Sequence, residues 1–279
     1  MRLASVHTYP IKGCYRLDHD GARVEPWGLA GDRRWMIVDE DGVGVTQREA
    51  TGLVAVRPEL RPGGLVLRAA GRPALELTEP ADGDPVEVRV FASMPAAPAR
   101  TAGPAANDWL SGLLDRKVRL VWLGDPTRRA IPEEIGLVEP GDRVSLADGY
   151  PMLLANLASL DAVNESLLAS GSAEAPLPMT RFRPNLVIAG AEPWAEDGWT
   201  GRRIRIGPVA FRVAKPCGRC VVTTTDQETG ERGREPLRVL ARHRNINQRL
   251  VFGQNLVPDV GPAGEPARLA VGDPVELLG

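Results

Sequence analysis

Residues 35–46 decide the fold class: Trp35-Met-Ile-Val38, then Asp39-Glu-Asp-Gly42, then Val43-Gly-Val-Thr46. Two short apolar runs separated by an acidic turn that ends in glycine are typical of a β-hairpin. Short runs bounded by Gly or Pro recur along the chain, which has 30 Gly and 25 Pro among 279 residues. We therefore predict a mostly β protein of the α+β class with a few short helices.

Further strands and helices are predicted on both sides of this hairpin. Strands are predicted at residues 3–8, 65–68, 74–78, 86–90, 118–123, 185–188, 204–206, 209–213, 220–224, 250–256 and 275–278, and residues 152–154 are apolar. Helices are predicted at residues 107–114, 159–169 and 235–243, with Asn107 and Ser159 as the N-caps of the first two. The proline-rich stretch 124–142 is the expected junction between an N-terminal domain, 1–124, and a second domain, 125–279.

The overall composition argues against several classes of protein. Charged residues make up 25% and hydrophobic residues 43%, as in ordinary globular proteins. A net charge of -2 and a pI near 6.0 disfavour a nucleic-acid binder. No run approaches the roughly 20 apolar residues that cross a bilayer, and residues 1–9 lack a signal-peptide core. We expect a cytoplasmic protein with no membrane span and no nucleic-acid partner.

The chemistry centres on Cys217-Gly-Arg-Cys220, which with Cys14 makes three cysteines in the chain. An odd number in a long chain indicates reduced thiols. The pair could be half a zinc site, a thiol–disulfide pair, an isolated cysteine ligand or two buried thiols. Zinc needs four protein ligands, for which only Cys14 and scattered histidines are available. The β-branched run 221–225 predicts a strand, whereas a thioredoxin-type pair begins a helix.

Cations accompany the cysteine pair and recur elsewhere in the chain. Lys215 and Arg219 flank the thiols, where positive charge favours the thiolate. Arg33 and Arg183 lie beside predicted strand ends, and guanidinium groups suit phosphate. Taken singly, each arginine has the ordinary interpretation of a solvated surface residue. Together with Lys12 they predict an anion pocket.

Several ordered motifs resemble a known family. Residues 215–230, Lys215-Pro-Cys-Gly-Arg-Cys-Val-Val-Thr-Thr-Thr-Asp-Gln-Glu-Thr-Gly230, together with Phe252-Gly-Gln254 and Val271-Gly-Asp-Pro-Val275, resemble the MOSC domain of molybdenum-cofactor proteins. Tyr9-Pro-Ile-Lys-Gly-Cys14, Gly31-Asp-Arg-Arg-Trp35 and Val45-Thr-Gln-Arg48 resemble the β-barrel domain that precedes MOSC in the mitochondrial amidoxime-reducing component and bacterial YcbX-like proteins. The resemblance implies an N-terminal β-barrel-like domain packed on a MOSC β-barrel domain.

The resemblance also implies a site for the molybdenum cofactor, Mo-molybdopterin with a lone phosphate. Cys220 would be the thiolate ligand of molybdenum, and Cys217 a neighbour of unknown role. The pterin phosphate and ring edge would be held by Lys12, Arg33 and Arg183. Further cofactor contacts are implied for Gly13, Gly149, Tyr150, Asn185, Gly218, Arg219 and Asn255. The animal relatives have hydroxyl-bearing residues at the positions of Gly13 and Gly149, and tyrosine at that of Asn255.

The implied activity is a molybdenum-dependent oxidoreductase that reduces N-hydroxylated small molecules, such as amidoximes and N-hydroxylated bases, to the N–H form. Asp197 is the candidate proton donor, while Glu196 is expected in a polar surface loop. Because no ferredoxin-like domain follows the Val-Gly-Asp-Pro motif, we expect a separate electron-donor protein. Two alternatives stay open: a persulfide sulfurtransferase acting through Cys217 or Cys220, and a non-catalytic cofactor carrier.

Overall fold

The fold was analysed in a computed structural model that describes residues 1–260 and 267–278. The described residues form three helices, α1 (Pro104–Leu114), α2 (Leu157–Ala169) and α3 (Leu237–His243). Their strands, in chain order, are β1 (Arg2–Thr8), β2 (Leu17–His19), β3 (Gly21–Glu25), β4 (Gly28–Leu29), β5 (Trp35–Val38), β6 (Arg57–Arg61), β7 (Gly64–Arg68), β8 (Leu75–Thr78), β9 (Pro85–Val88), β10 (Ala97–Thr101), β11 (Arg119–Trp122), β12 (Met152–Asn156), β13 (Leu186–Ala189), β14 (Arg203–Ile206), β15 (Val209–Gly218), β16 (Asn245–Ile246), β17 (Arg249–Pro258), β18 (Arg268–Ala270) and β19 (Val275–Leu277). The mostly β fold class is confirmed.

One large mixed sheet organises the molecule. Its strand order is β19-β14-β15-β17-β12-β13-β1-β2, with β16 added beside β17. β12 and β13 run parallel, whereas the other neighbours on this path are antiparallel. All five residues of β12 are buried, as expected for a strand covered on both faces. Because β1 pairs with β13, the amino-terminal strand lies inside the sheet formed mainly by the second half.

Three smaller sheets complete the fold, with orders β5-β11-β10-β9, β18-β3-β4 and β6-β7-β8. In the described residues none of the four sheets closes on itself through its strand ladder. One apolar core lies against the large sheet around Phe211 and Leu154, and another around Trp35 and Leu120 in the amino-terminal part. The division into domains 1–124 and 125–279 stays a prediction.

Three local predictions were wrong. Residues 220–224 do not form a strand, because β15 ends at Gly218 and Cys220 precedes a 3₁₀ helix, Val221–Thr224. Asn107 lies inside α1, where its side chain accepts a hydrogen bond from the Leu120 amide (3.0 Å). Asn156, not Ser159, caps α2 by accepting from the Ala158 amide (3.2 Å). The hydrogen bonds at residues 220–224 and at Asn156 are local, whereas the bond between the Leu120 amide and Asn107 spans 13 residues.

The predicted hairpin is present in reduced form. Its first arm is β5, but the second arm is joined to it only through a bridge between Val38 and Gly44. β5 instead takes β11 as its ladder partner. None of the helices in the described residues is long and apolar enough to cross a membrane.

Candidate functional site

A cavity of about 180 Å³ lies where the amino-terminal loops meet the large sheet. Exposed residues, among them Arg48 and Gly218, are part of its lining, so the cavity opens to solvent. It collects all eleven residues for which the resemblance implied a cofactor contact: Lys12, Gly13, Arg33, Gly149, Tyr150, Arg183, Asn185, Gly218, Arg219, Cys220 and Asn255. Their role in binding stays a prediction.

Two of the lining arginines are held in an unusual backbone conformation. Arg33 has φ +47° and Arg183 has φ +53°, the left-handed region that non-glycine residues seldom adopt. Both guanidiniums pack against the buried ring of Tyr9, with Cζ-to-centroid distances of 4.6 and 4.2 Å. Backbone strain of this kind is kept where the surrounding structure fixes the residue, typically at functional sites.

Asn185 and a pair of glutamines hold these arginines in place. Asn185, fully buried, accepts from Arg33 Nη1 (3.1 Å). Gln47 and Gln227 exchange two amide hydrogen bonds (3.0 and 2.9 Å), and Gln227 Oε1 also accepts from Arg183 Nη1 (2.6 Å). Sequence reasoning missed the glutamine pair, although both residues lie inside the motifs that carried the resemblance. The amide pair makes the position of Arg183 depend on both halves of the chain.

Lys12 forms an ion pair with Asp148, a second residue that sequence reasoning missed. Burial lowers the pKa of Lys12, and Asp148 opposes that shift. For Asp148, enclosure raises the pKa, but Lys12, Arg48 and Arg33 outweigh it and the net shift is downward. Phe91 lies between two cations, 5.3 Å from Lys12 Nζ and 4.6 Å from Arg48 Cζ, measured to the ring centroid. The carboxylate is therefore ionised in a basic cavity.

Positive charge exceeds negative charge in the cavity. Among the described lining residues five are cationic, and Asp148 alone is anionic, an excess of four. Asp32, behind the lining, pairs with Arg33 and reduces the excess to three. Burial lowers the pKa of Arg183 to about 10, which shows how poorly its charge is solvated. Because buried charges need counterions, the cavity suits an anionic ligand.

Buried polar atoms without hydrogen-bond partners also indicate that the cavity binds a ligand. Tyr150 Oη and Arg219 Nε are buried and have no hydrogen-bond partner among the described residues. Both side chains line the cavity. Since nearly all buried donors in proteins are satisfied, these two atoms are expected to bond to a ligand or to water. The donor set therefore fits a phosphate-bearing group with a polar ring edge.

The two cysteines at the cavity lie in different settings. Cys217 Sγ accepts from Arg219 Nη1 (2.9 Å), while Cys220 Sγ lies 3.9 Å from Arg48 Nη2. Both thiols are partly exposed and unbridged, whereas burial raises the pKa of Cys14 to about 12. The described residues contain no group of three or more His, Cys, Asp or Glu suited to hold a metal.

The acidic candidates lie elsewhere. Asp197 is not among the lining residues, and it forms an ion pair with Arg244 at 2.5 Å. Glu196 is fully buried, so the surface-loop interpretation was wrong. Its carboxylate accepts from Ser159 Oγ (2.7 Å) and Asn156 Nδ2 (3.1 Å), and burial raises its pKa. The geometry gives no support to either acid as a proton donor at the cavity.

Comparisons with known proteins agree over nearly the whole chain. Residues 1–117 match the MOSC N-terminal beta barrel domain, and residues 141–276 match the MOSC domain. The chain is 31% identical to mitochondrial amidoxime-reducing component 1 of Homo sapiens, covering 99% of this chain and 83% of that protein. It is 32% identical to a molybdenum cofactor sulfurase of Anopheles gambiae, covering 90% of this chain and 34% of that protein. The YUAD protein from Bacillus subtilis superposes with a TM-score of 0.41 at 9% identity, covering 99% of this chain and 94% of that chain.

Proposed function

Because this chain belongs to the MOSC family, we propose that it binds a molybdenum cofactor through Cys220 and reduces N-hydroxylated small molecules. The observation that carries the proposal is the cavity itself, in which uncompensated positive charge surrounds an accessible thiol. Its relatives include proteins named as amidoxime-reducing components and as molybdenum cofactor sulfurases. The reductase is favoured because the amidoxime-reducing components of Homo sapiens and Mus musculus match over 82–83% of their length, whereas the sulfurase of Anopheles gambiae matches over 34%.

The cavity residues divide the binding of the cofactor between them. Lys12, Arg33 and Arg183 supply the positive charge for the phosphate, and charge-assisted bonds of this kind are roughly twice as strong as neutral ones. Tyr150 Oη and Arg219 Nε are donors available for the polar edge of the pterin. Cys220 supplies the thiolate, a soft ligand suited to the metal. Before the cofactor binds, Arg33 is already held by Asn185, and Arg183 by Gln227, which is itself paired with Gln47.

When bound, the cofactor supplies the metal that exchanges an oxygen atom and two electrons with a substrate. The overall reaction takes up two electrons and two protons, converting an N–OH group to N–H and releasing water. Burial raises the pKa of Tyr150, so its hydroxyl keeps its proton and can donate to an oxygen within reach. The guanidinium of Arg48 packs over Phe91 and lies beside Cys220. It can therefore orient a polar group of the substrate where the cavity opens to solvent.

The electrons would come from a separate donor protein, and a cytoplasmic location stays a prediction.

The second candidate function is persulfide transfer, favoured by the 2.9 Å contact between Arg219 Nη1 and Cys217 Sγ, because a cation stabilises a reactive thiolate. In that case Cys217, not Cys220, would carry the reacting sulfur.

Three matched proteins test the proposal: wild type, Cys220→Ala and Cys217→Ala, produced together in a host that makes the cofactor. We expect wild type and Cys217→Ala to contain molybdenum by elemental analysis, and Cys220→Ala to have lost it. Both molybdenum-containing proteins should reduce benzamidoxime with a chemical electron donor. Molybdenum retained by Cys220→Ala would refute the ligand assignment. Tight molybdenum without turnover of any N-hydroxylated compound would favour a carrier, and cysteine-dependent sulfur release lost only in Cys217→Ala would favour persulfide transfer.

A further inference from the structure

Residues 232–249, here called the basic segment, concentrate positive charge on one exposed part of the molecule. The segment contains six arginines and one acidic residue, Glu235, which gives it a charge of +5. Since the whole chain carries -2, the remaining residues carry -7. Glu235 is buried and accepts from the Val239 amide (3.0 Å), so the charge that this segment presents to solvent is positive.

The basic segment borders the Cys220 loop at both of its ends. At one end Arg232 donates to the carbonyl oxygens of Gln47 and Arg48, the latter at 3.1 Å. Arg48 in turn lies 3.9 Å from Cys220 Sγ. Immediately after the other end, the carbonyl of Leu250 accepts from the Arg219 amide (2.7 Å). The basic segment is therefore joined, near both of its ends, to residues that lie beside the proposed metal ligand.

Half of the six arginines in the basic segment form no side-chain hydrogen bond or ion pair among the described residues, whereas Arg232, Arg238 and Arg244 make contacts within the fold. Arg234, Arg242 and Arg249 are exposed and form no ion pair within 4.0 Å in the described part of the chain. Of the remainder, Arg238 is 4.0 Å from Glu235, at the limit for an ion pair, and Arg244 pairs with Asp197. Like charges in close proximity repel, so a cluster of this kind is unfavourable in the isolated protein.

A turn in the segment adds an apolar contact to the charged surface. β16 and β17 are joined through Asn247 and Gln248, both at positive φ, which makes a tight hairpin tip. Ile246, next to this turn, is 39% exposed. Ile246 pairs with Arg249 across the hairpin, and an exposed apolar residue beside arginines is the arrangement expected where a partner of opposite charge docks.

We propose that the basic segment is the docking surface for a small acidic electron-donor protein. This inference rests on the proposed reductase function, because only that function needs electrons delivered near Cys220. Charge complementarity identifies the partner: an acidic surface around a flavin or iron–sulfur group is attracted to residues 232–249 and repelled by the rest of the chain. Such steering raises association rates and weakens as salt is added. An anionic membrane is the competing occupant.

The test uses reduced flavodoxin, an acidic flavin protein, as the probe. Arg234→Gln combined with Arg242→Gln removes two charges from the basic segment. The matched control, Arg61→Gln combined with Arg68→Gln, removes two exposed charges from the sheet β6-β7-β8, none of whose residues line the cavity. Binding is measured by the fluorescence anisotropy of a dye attached to flavodoxin, which requires neither molybdenum nor turnover. Activity with photoreduced deazariboflavin, an uncharged small donor, is measured in parallel.

We expect the segment variant to bind flavodoxin about tenfold more weakly than wild type at low ionic strength, with the control close to wild type. At 1 M salt, where the Debye length is about 3 Å, the three proteins should bind alike. Deazariboflavin-driven activity should be the same in all three; its absence from all three would count against the reductase function and leave the binding result to be judged separately. Absence of flavodoxin binding, equal weakening in both variants, or binding instead to phosphatidylglycerol vesicles through the same arginines would overturn the docking surface.

Discussion

Replacing Arg183 with Met should weaken cofactor retention while leaving the cofactor-free protein folded. Burial lowers the pKa of Arg183 from 12.5 to about 10, and at about 1.4 kcal/mol per pKa unit this burial costs on the order of 3 kcal/mol. The guanidinium regains about 1 kcal/mol from each of its bonds to Gln227 Oε1 (2.6 Å) and the Cys14 carbonyl (2.8 Å). Stacking on Tyr9 adds roughly 0.5–1 kcal/mol.

These opposing contributions nearly cancel, so the free energy of unfolding of the cofactor-free protein should change by only about 1 kcal/mol. The left-handed backbone strain is common to Arg and Met and does not enter the difference. Gln227 Oε1 is not left unpaired, because it also accepts from Gln47 Nε2 at 3.0 Å. With an anionic ligand bound, the lost charge-assisted bonds are worth about 1.5–3 kcal/mol, or roughly 10- to 100-fold in affinity.

The assay has two parts. Urea unfolding compares wild type and Arg183→Met made in a host that lacks molybdopterin synthesis. Elemental analysis then compares molybdenum per chain after production in a competent host and extensive gel filtration. Full molybdenum retention by the variant would refute a role for Arg183 in binding. A loss of more than about 3 kcal/mol in the cofactor-free protein would show that Arg183 is structural and that the cancellation argued above is wrong.

Three further predictions concern other parts of the fold. Gly253→Ala should lower the free energy of unfolding by several kcal/mol, because its Cβ would lie 2.4 Å from the Leu154 carbonyl oxygen; Gly63→Ala, at a similar positive φ with no atom within 4 Å, should cost only about 1 kcal/mol in the same urea titration. His7 has a pKa lowered by burial, so its contribution to stability is present above pH 6.5 and is lost as the pH falls through the folded pKa; the melting temperature of His7→Gln should therefore depend less on pH below 6.5 than that of wild type. Asp197→Asn breaks the ion pair with Arg244 and should cost about 1 kcal/mol, while turnover per molybdenum atom stays at the wild-type value; a large drop in turnover would place Asp197 in the catalytic machinery after all.

Many strands could be predicted from the sequence because each is a local apolar run. Several were not predicted, since they are short or lack a continuous apolar run: β2, β3, β4, β6, β10, β16 and β18. Residues 65–68, 204–206 and 275–278 became β7, β14 and β19 with shifts of about one residue. The error at residues 220–224 arose where two local structures compete. The β-branched run after Cys220 has strand propensity, yet the Thr223 amide bonds to the Cys220 carbonyl (3.0 Å) in a 3₁₀ turn instead. Propensity carries no information about that competition.

Only some residues of the candidate site could be predicted from the sequence. Arg33, Arg183 and Lys12 could be selected because clustered cations near a thiol are unusual and match family motifs. Asp148 gave no such signal, since a single aspartate in a loop is ordinary until it is seen beside Lys12. Asp197 was selected for its acidic and aromatic neighbours in sequence, but its nearest charged partner, Arg244, is 47 residues away. Charge pairing across the chain therefore decides which acids belong to the cavity.

The pairing of β1 with β13 connects the fold to the candidate site. β1 and β13 are antiparallel neighbours, and their register places His7 opposite Asn185, with bonds of 2.8 Å from the His7 amide to the Asn185 carbonyl and 3.1 Å from Asn185 Nδ2 to the His7 carbonyl. Asn185 Oδ1 then accepts from Arg33. A slip of one residue would turn these side chains to the opposite face of the sheet and separate Arg33 from Arg183, two residues before Asn185. The cavity thus depends on a pairing between the first strand and a strand 180 residues later, which the sequence of neither strand specifies alone.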